Sequence, residues 1–133
     1  MTTQKSNATF FAPHLAIKKL KPAMEFYQKA FGANVLRQWD NDDGSVHVAE
    51  MEIEGAMFHL HEESPHNNQL SPENVGATTN LVSLFPQNAD KLWQRAVEAG
   101  GRVSSPMQDY DYGYRQGTLV DPFGHQWLIQ KKI

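Results

Sequence analysis

Cysteine is absent from this chain of 133 residues, which excludes disulfides, thiolate nucleophiles and cysteine-ligated metal sites. Apolar runs are short, and none approaches the roughly 20 residues that a membrane-spanning helix needs. Basic runs are missing as well, and with a net charge of −3 the chain offers no polyanion surface for nucleic acid. The opening segment Met1-Thr2-Thr3-Gln4-Lys5-Ser6-Asn7 carries no signal-peptide pattern. Residues 1–9 are therefore expected to form a frayed polar tail, and the protein is expected in the cytoplasm, away from membranes and nucleic acid. No Ser–His–Asp spacing, phosphate-cradling glycine loop or HExxH helix is present.

What the chain does have is an internal repeat. Ala23-Met24-Glu25-Phe26-Tyr27-Gln28-Lys29-Ala30 returns 66 residues later as Ala89-Asp90-Lys91-Leu92-Trp93-Gln94-Arg95-Ala96. Each copy follows an alternating apolar stretch, His14-Leu15-Ala16-Ile17 and then Asn80-Leu81-Val82-Ser83. Each runs on into a glycine turn and a valine, Gly32 to Val35 and Gly100 to Val103. A unit of half the chain repeated once implies two similar modules in one domain.

Periodicity gives the order of elements. Residues 10–17 read as a half-buried strand. Pro22 suits the first turn of a helix that Gly32 stops. Strands follow over 35–39, 46–53 and 56–60, with hairpin signals at Asn41-Asp42-Asp43-Gly44 and Glu54-Gly55. Residues 64–77 form a polar linker. The order then repeats: a strand over 79–85, a helix capped by Asn88, and three strands, with residues 109–114 expected as a loop. The chain is thus an α+β protein of two βαβββ modules, residues 10–63 and 78–133, with curved mixed sheets around a shared cavity.

Strand alternation also sorts the polar residues. Met57, His59 and His61 share one face of their strand, and Phe58 and Leu60 the other. If the helix covers Leu15, Ile17, Phe58 and Leu60, then His14, His59 and His61 turn toward the cavity and His47 joins them. Such a cluster suits either a divalent transition metal, held by His14, His59 and His61, or a polar pocket wall that hydrogen-bonds a ligand. Arg115 reaches an anionic ligand group or pairs with Asp109 or Asp111. Tyr110, Tyr112 and Tyr114 stack on a planar ligand or cover the cavity mouth. Trp39 lines the pocket, Trp93 and Trp127 belong to the core, and His125 takes a structural hydrogen bond. Glu50 and Glu52 face solvent, and His66 is exposed.

Twofold βαβββ, with Glu25-Phe26-Tyr27, Phe31-Gly32-Ala33 and Asp121-Pro122-Phe123-Gly124-His125 in these places, resembles the vicinal oxygen chelate superfamily of glyoxalases, bleomycin-resistance proteins and extradiol dioxygenases. Pro13-His14-Leu15, His47-Val48-Ala49-Glu50 and Tyr112-Gly113-Tyr114-Arg115-Gln116-Gly117 are similar to its PhnB-like branch. The resemblance implies four ligand positions, two per module, here His14, His59, Asn80 and Leu128. Leu128 has no lone pair and Asn80 is a poor partner for zinc or nickel, so a complete metal site is not expected. The expectation is a homodimeric small-molecule binding or sequestration protein without cofactor. Its ligand would meet His14, His47, His59, His61, Trp39, Asn80, Tyr112 and Arg115. The alternative is a divalent-metal lyase, isomerase or dioxygenase.

Overall fold

The computed structural model describes residues 8–133, so the expected tail lies almost wholly outside the described residues. The first module runs β1 (His14–Ile17), α1 (Leu20–Phe31), β2 (Asn34–Asp40), β3 (Val46–Ile53) and β4 (Ala56–Glu62). The connection holds a 3-10 turn, Pro65–Asn67, and a short helix α2 (Pro72–Val75) capped by Ser71. The second module runs β5 (Leu81–Leu84), α3 (Ala89–Glu98), β6 (Arg102–Tyr110), β7 (Tyr114–Val120) and β8 (Gln126–Lys132).

Each module is one four-stranded sheet, in the orders β1-β4-β3-β2 and β5-β8-β7-β6. The first strand is parallel to the fourth, and the other pairs are antiparallel. The turn between β3 and β4 has positive φ at both Glu54 (51°) and Gly55 (88°), the geometry that tight antiparallel turns prefer.

Helix ends follow local chemistry. The Asn88 side chain accepts from the Lys91 N–H at 3.1 Å and so starts α3. Helix α1 begins at Leu20, two residues before Pro22, which still lies in the first turn where its missing N–H is harmless. Gly32 ends α1 in the left-handed region at φ 67°. Two expectations need correction. The strand over 10–17 shortens to His14–Ile17, and the expected loop 109–114 shrinks to a turn over 111–113 because β6 continues through Tyr110.

The two modules share their core. Leu15, Ile17, Phe26, Tyr27, Phe31, Phe58 and Leu60 are buried with Trp127, Leu119 and Ile129 of the second module. Helices α1 and α3 pack together, and the Arg95 guanidinium donates to the Lys29 carbonyl (2.7 Å) and the Gln28 carbonyl (3.3 Å) at the end of α1. A cation there also suits the negative end of the helix dipole. Buried Asp121 accepts hydrogen bonds from the Tyr27 hydroxyl (2.5 Å), Trp127 Nε1 (2.9 Å), and the backbone N–H groups of Phe123 and His125 (2.9 and 3.0 Å). His125, as expected, is structural: its Nε2 meets the Ala16 carbonyl at 2.9 Å.

Candidate functional site

Register decides which side chains meet. His14 lies opposite His59, which lies opposite Glu50, which lies opposite Arg37, so one row crosses all four strands on the sheet face turned away from α1. The next row is Ala16, His61, Val48 and Trp39. Ring centroids are 5.9 Å apart for His14–His59, 5.4 Å for His14–His61 and 5.0 Å for His47–His61. The four histidines expected at the cavity thus form a connected group. Trp39 stands in the row beside them, with the Arg37 guanidinium 4.5 Å from its ring centre.

Electrostatics differ across this group. Partial burial, then the neighbouring imidazoles of His61 and His59, hold His14 below the ordinary histidine range. His47 Nδ1 lies 3.0 Å from the Glu62 carboxylate, which also accepts from Asn41 at 3.2 Å. Those two contacts, His47 first, keep Glu62 more acidic than usual. His61 Nδ1 donates to the Glu62 backbone carbonyl at 2.6 Å, which leaves Nε2 as an acceptor in the neutral ring. Glu50 was expected in solvent; it is half-buried beside His59, because the face it shares with Val48 is the histidine face.

The second sheet carries a different chemistry on the equivalent face. Ser83 lies opposite Leu128 as His14 lies opposite His59. Gln130 and Gln116 stand where the first sheet has His61 and Val48, and Thr118 where it has Glu50. The Tyr112 hydroxyl donates to Gln116 Oε1, Gln116 Nε2 donates to Gln130 Oε1 at 2.6 Å, and Gln130 Nε2 donates to Ser83 Oγ. Tyr110 and Tyr112 stack with centroids 5.2 Å apart, and Tyr114 follows at 6.0 Å.

This register corrects the pairing of His14 with Asn80. The helices repeat at an offset of 66, but nine residues separate His14 from Ala23 and only six separate Ser83 from Ala89. The shorter connection moves the counterpart of His14 to Ser83. Asn80 precedes β5, yet it lines the space between the modules. A cavity of about 470 Å³ lies between β1 and β5, walled by Pro13, His14, Asn80 and Ser83 among others. A second, of about 390 Å³, lies between His14, Ala16 and the linker residues Gln69 and Pro72.

Arg115 is elsewhere. It sits on the helix side of its sheet with Gly117 and Leu119, and its guanidinium pairs with Asp90 (3.0 Å) and Asp109 (3.1 Å). Those carboxylates, Asp109 first, raise its already high pKa. Arg37, Ser83, Gln116 and Gln130 were not singled out from sequence. The polar residue at every second place from Gln126 to Gln130, around Leu128, carried the signal for the last of these.

Comparison with known proteins fits this architecture. Residues 9–129 match the Glyoxalase/Bleomycin resistance protein/Dioxygenase superfamily. The chain belongs to this superfamily. Uncharacterized proteins of Mycobacterium bovis and Mycobacterium tuberculosis strain H37Rv are each 31% identical over 125 residues, covering 92% of this chain and 82% and 74% of theirs. Among solved structures, TioX from Micromonospora sp. ML1 superposes with a TM-score of 0.74 at 21% identity, over 94% of this chain and 97% of TioX. A glyoxalase-related enzyme from Fulvimarina pelagi gives 0.66 at 21% identity, over 92% and 88%. At these identities the structural neighbours speak for the fold.

Many members of the superfamily use a divalent metal, which the residues here do not fit as a four-ligand site. The two second-module positions are Ser83, a neutral hydroxyl, and Leu128, a hydrocarbon. Among the described residues, no group of three or more His, Asp or Glu side chains is placed to hold an ion. What the two faces can do is donate and accept hydrogen bonds.

Proposed function

We propose that this protein binds or sequesters a small organic molecule in the space between β1 and β5. One observation carries the reading: the four ligand-like positions hold two imidazoles, a hydroxyl and a leucine, so hydrogen bonding is available while the four-ligand metal set is incomplete. A cavity of about 470 Å³ is of drug-sized capacity, and its lining sets the polar groups of His14, Asn80 and Ser83 beside apolar side chains. Trp39, His47, His59, His61 and Asn80 are the residues that extend contact beyond His14, and Tyr112 joins through its hydrogen bond to Gln116. The run Asp121-Pro122-Phe123-Gly124-His125-Gln126-Trp127 supports a place in the PhnB-like branch, and the cysteine-free composition suits the cytoplasm.

Titration of ¹⁵N-labelled protein with a library of small aromatic compounds tests this. Binders should shift amides of 12, 14, 15, 59–61 and 80–83. A library that shifts only amides remote from these segments, or none, contradicts the reading.

A divalent-metal enzyme is the second reading, favoured by the direct register of His14 with His59 and by His61 within 5.4 Å of His14. Elemental analysis of untagged protein separates the two: one nickel or zinc per chain, retained through dialysis against a weak chelator, would support the enzyme.

We further propose a homodimer. The exposed edge strands β2 and β6 and the open histidine face leave polar backbone and apolar side chains to be covered, and self-pairing across a twofold axis does that economically. Light scattering at micromolar concentration should give twice the 15.1 kDa chain mass; a monomer mass contradicts it.

A further inference from the structure

The second sheet's polar chain has a direction, and its direction specifies a ligand feature. This inference rests on the ligand-binding reading above and names one group that the ligand must carry. Tyr112 gives its proton to Gln116, so the Gln116 carbonyl oxygen is fixed as an acceptor and its amide nitrogen must donate onward. Gln130 is fixed in the same way: its carbonyl oxygen accepts from Gln116 and its nitrogen donates to Ser83 Oγ. In this arrangement both amide nitrogens point toward Ser83; with both amides turned over, the same four residues would bond in the opposite sense and leave the Ser83 oxygen to accept, the outcome that a donor probe reads. Gln130 is only 6% exposed, so the middle of the chain is shielded from water. Successive bonds of one polarity strengthen one another in such a setting.

The chain ends at Ser83. Its oxygen already accepts from Gln130, and among the described residues its own O–H meets no acceptor. Ser83 is exposed and lines the cavity between β1 and β5, on the wall opposite His14. Among the described residues no lysine or arginine lines that cavity, which favours a neutral ligand group over a carboxylate or phosphate. Phe11, Pro13, Leu81 and Val82 supply apolar surface beside the polar groups of His14 and Asn80.

We infer that Ser83 is a specificity-determining hydrogen-bond donor, and that it takes the carbonyl oxygen of a neutral cyclic ligand, of the ketone, lactone or lactam class. Gln130, Gln116 and Tyr112 are positioning residues, which act on the ligand only through Ser83. The assignment depends on the three-bond chain and on the place of Ser83, and it requires no metal.

The test uses the full chain with two probes of similar shape, coumarin, which has a lactone carbonyl, and naphthalene, which has none. Both are titrated into ¹⁵N-labelled wild type, Ser83→Ala and Tyr112→Phe, with melting temperature measured on each protein. A neutral hydrogen bond contributes about 0.5–1.5 kcal/mol, so the coumarin-to-naphthalene affinity ratio should fall about 2- to 10-fold in Ser83→Ala. Naphthalene affinity should stay unchanged, while the melting temperature falls because shielded Gln130 loses its acceptor. Tyr112→Phe should lower the same ratio by a smaller factor, a selective effect that a merely structural role for the chain would not produce. An unchanged ratio in Ser83→Ala overturns the inference while leaving the pocket in place. A ratio that 2-naphthol, a donor probe, exceeds in wild type and in Ser83→Ala alike also overturns it, by showing that the acceptors on the His14 wall select the ligand. Failure of every probe to shift amides 80–83 contradicts both this inference and the ligand-binding reading.

Discussion

His14 ties the charge of the site to pH. Its folded-state pKa is lowered by partial burial and then by His61 and His59 of β4; Glu50 lies beyond His59 in the same row, and no charged group of β5 faces it. Between that lowered value and the ordinary histidine value, the unfolded chain binds more protons than the folded one. Stability therefore rises with pH across this window and is lost as pH falls through it. Melting temperature should drop from pH 7 to pH 5, and His14→Gln should flatten that part of the profile. A wild-type profile unaffected by the substitution would show that the imidazoles do not sense one another. Asp121 is the residue on which the joint between modules depends. Its carboxylate satisfies four donors, and Tyr27, held far above its usual pKa by burial and then by Asp121, stays protonated as one of them. Asp121→Asn replaces one acceptor oxygen by a donor inside this cage. It should cost about 2–4 kcal/mol in denaturant unfolding, with fragment binding by the remaining folded protein unaltered.

At the scale of elements, the second sheet presses unusually close to its helix. A Cβ on Gly117 would lie 2.9 Å from the Trp93 ring of α3 and 2.9 Å from the Met107 backbone nitrogen of β6. The indole can tilt, but the backbone atom belongs to a paired strand and cannot. Gly117→Ala should therefore destabilise by about 1–3 kcal/mol, read by chemical denaturation. An unchanged midpoint would mean that β6 can move away without loss. Helices α1 and α3 and the β3–β4 hairpin were legible in sequence, because apolar spacing, Asn88 and Glu54-Gly55 each carry a local signal, whereas α2 lay within the expected linker. The register of β5 was not. A connection three residues shorter in the second module has no local mark, so the helix offset of 66 placed Asn80 where Ser83 belongs. Parity also held information that went unread: Arg115 shares its face with Gly117 and Leu119, which must lie under α3, so Arg115 points away from the histidines.

For the whole molecule, the repeat fixes the architecture, and the difference between its halves shapes the function. Equivalent places hold His14 and Ser83, His59 and Leu128, His61 and Gln130, so one fold carries an imidazole face on its first sheet and a neutral amide and hydroxyl face on its second. The site's location follows from topology, whereas its ligand depends on side-chain packing that no motif encodes. His59 offers the most direct test of the location. Its ring makes ring contact with His14 and no side-chain hydrogen bond to another described residue, so it adds little to folding. The decisive measurement is melting temperature together with aromatic-fragment affinity on His59→Leu, which gives the first module the residue already present at Leu128. The account predicts a melting temperature close to wild type and affinity reduced about tenfold, as expected for removal of a well-placed polar contact with some packing. A variant that fails to fold, or that binds fragments as tightly as wild type, would contradict the placement of the site.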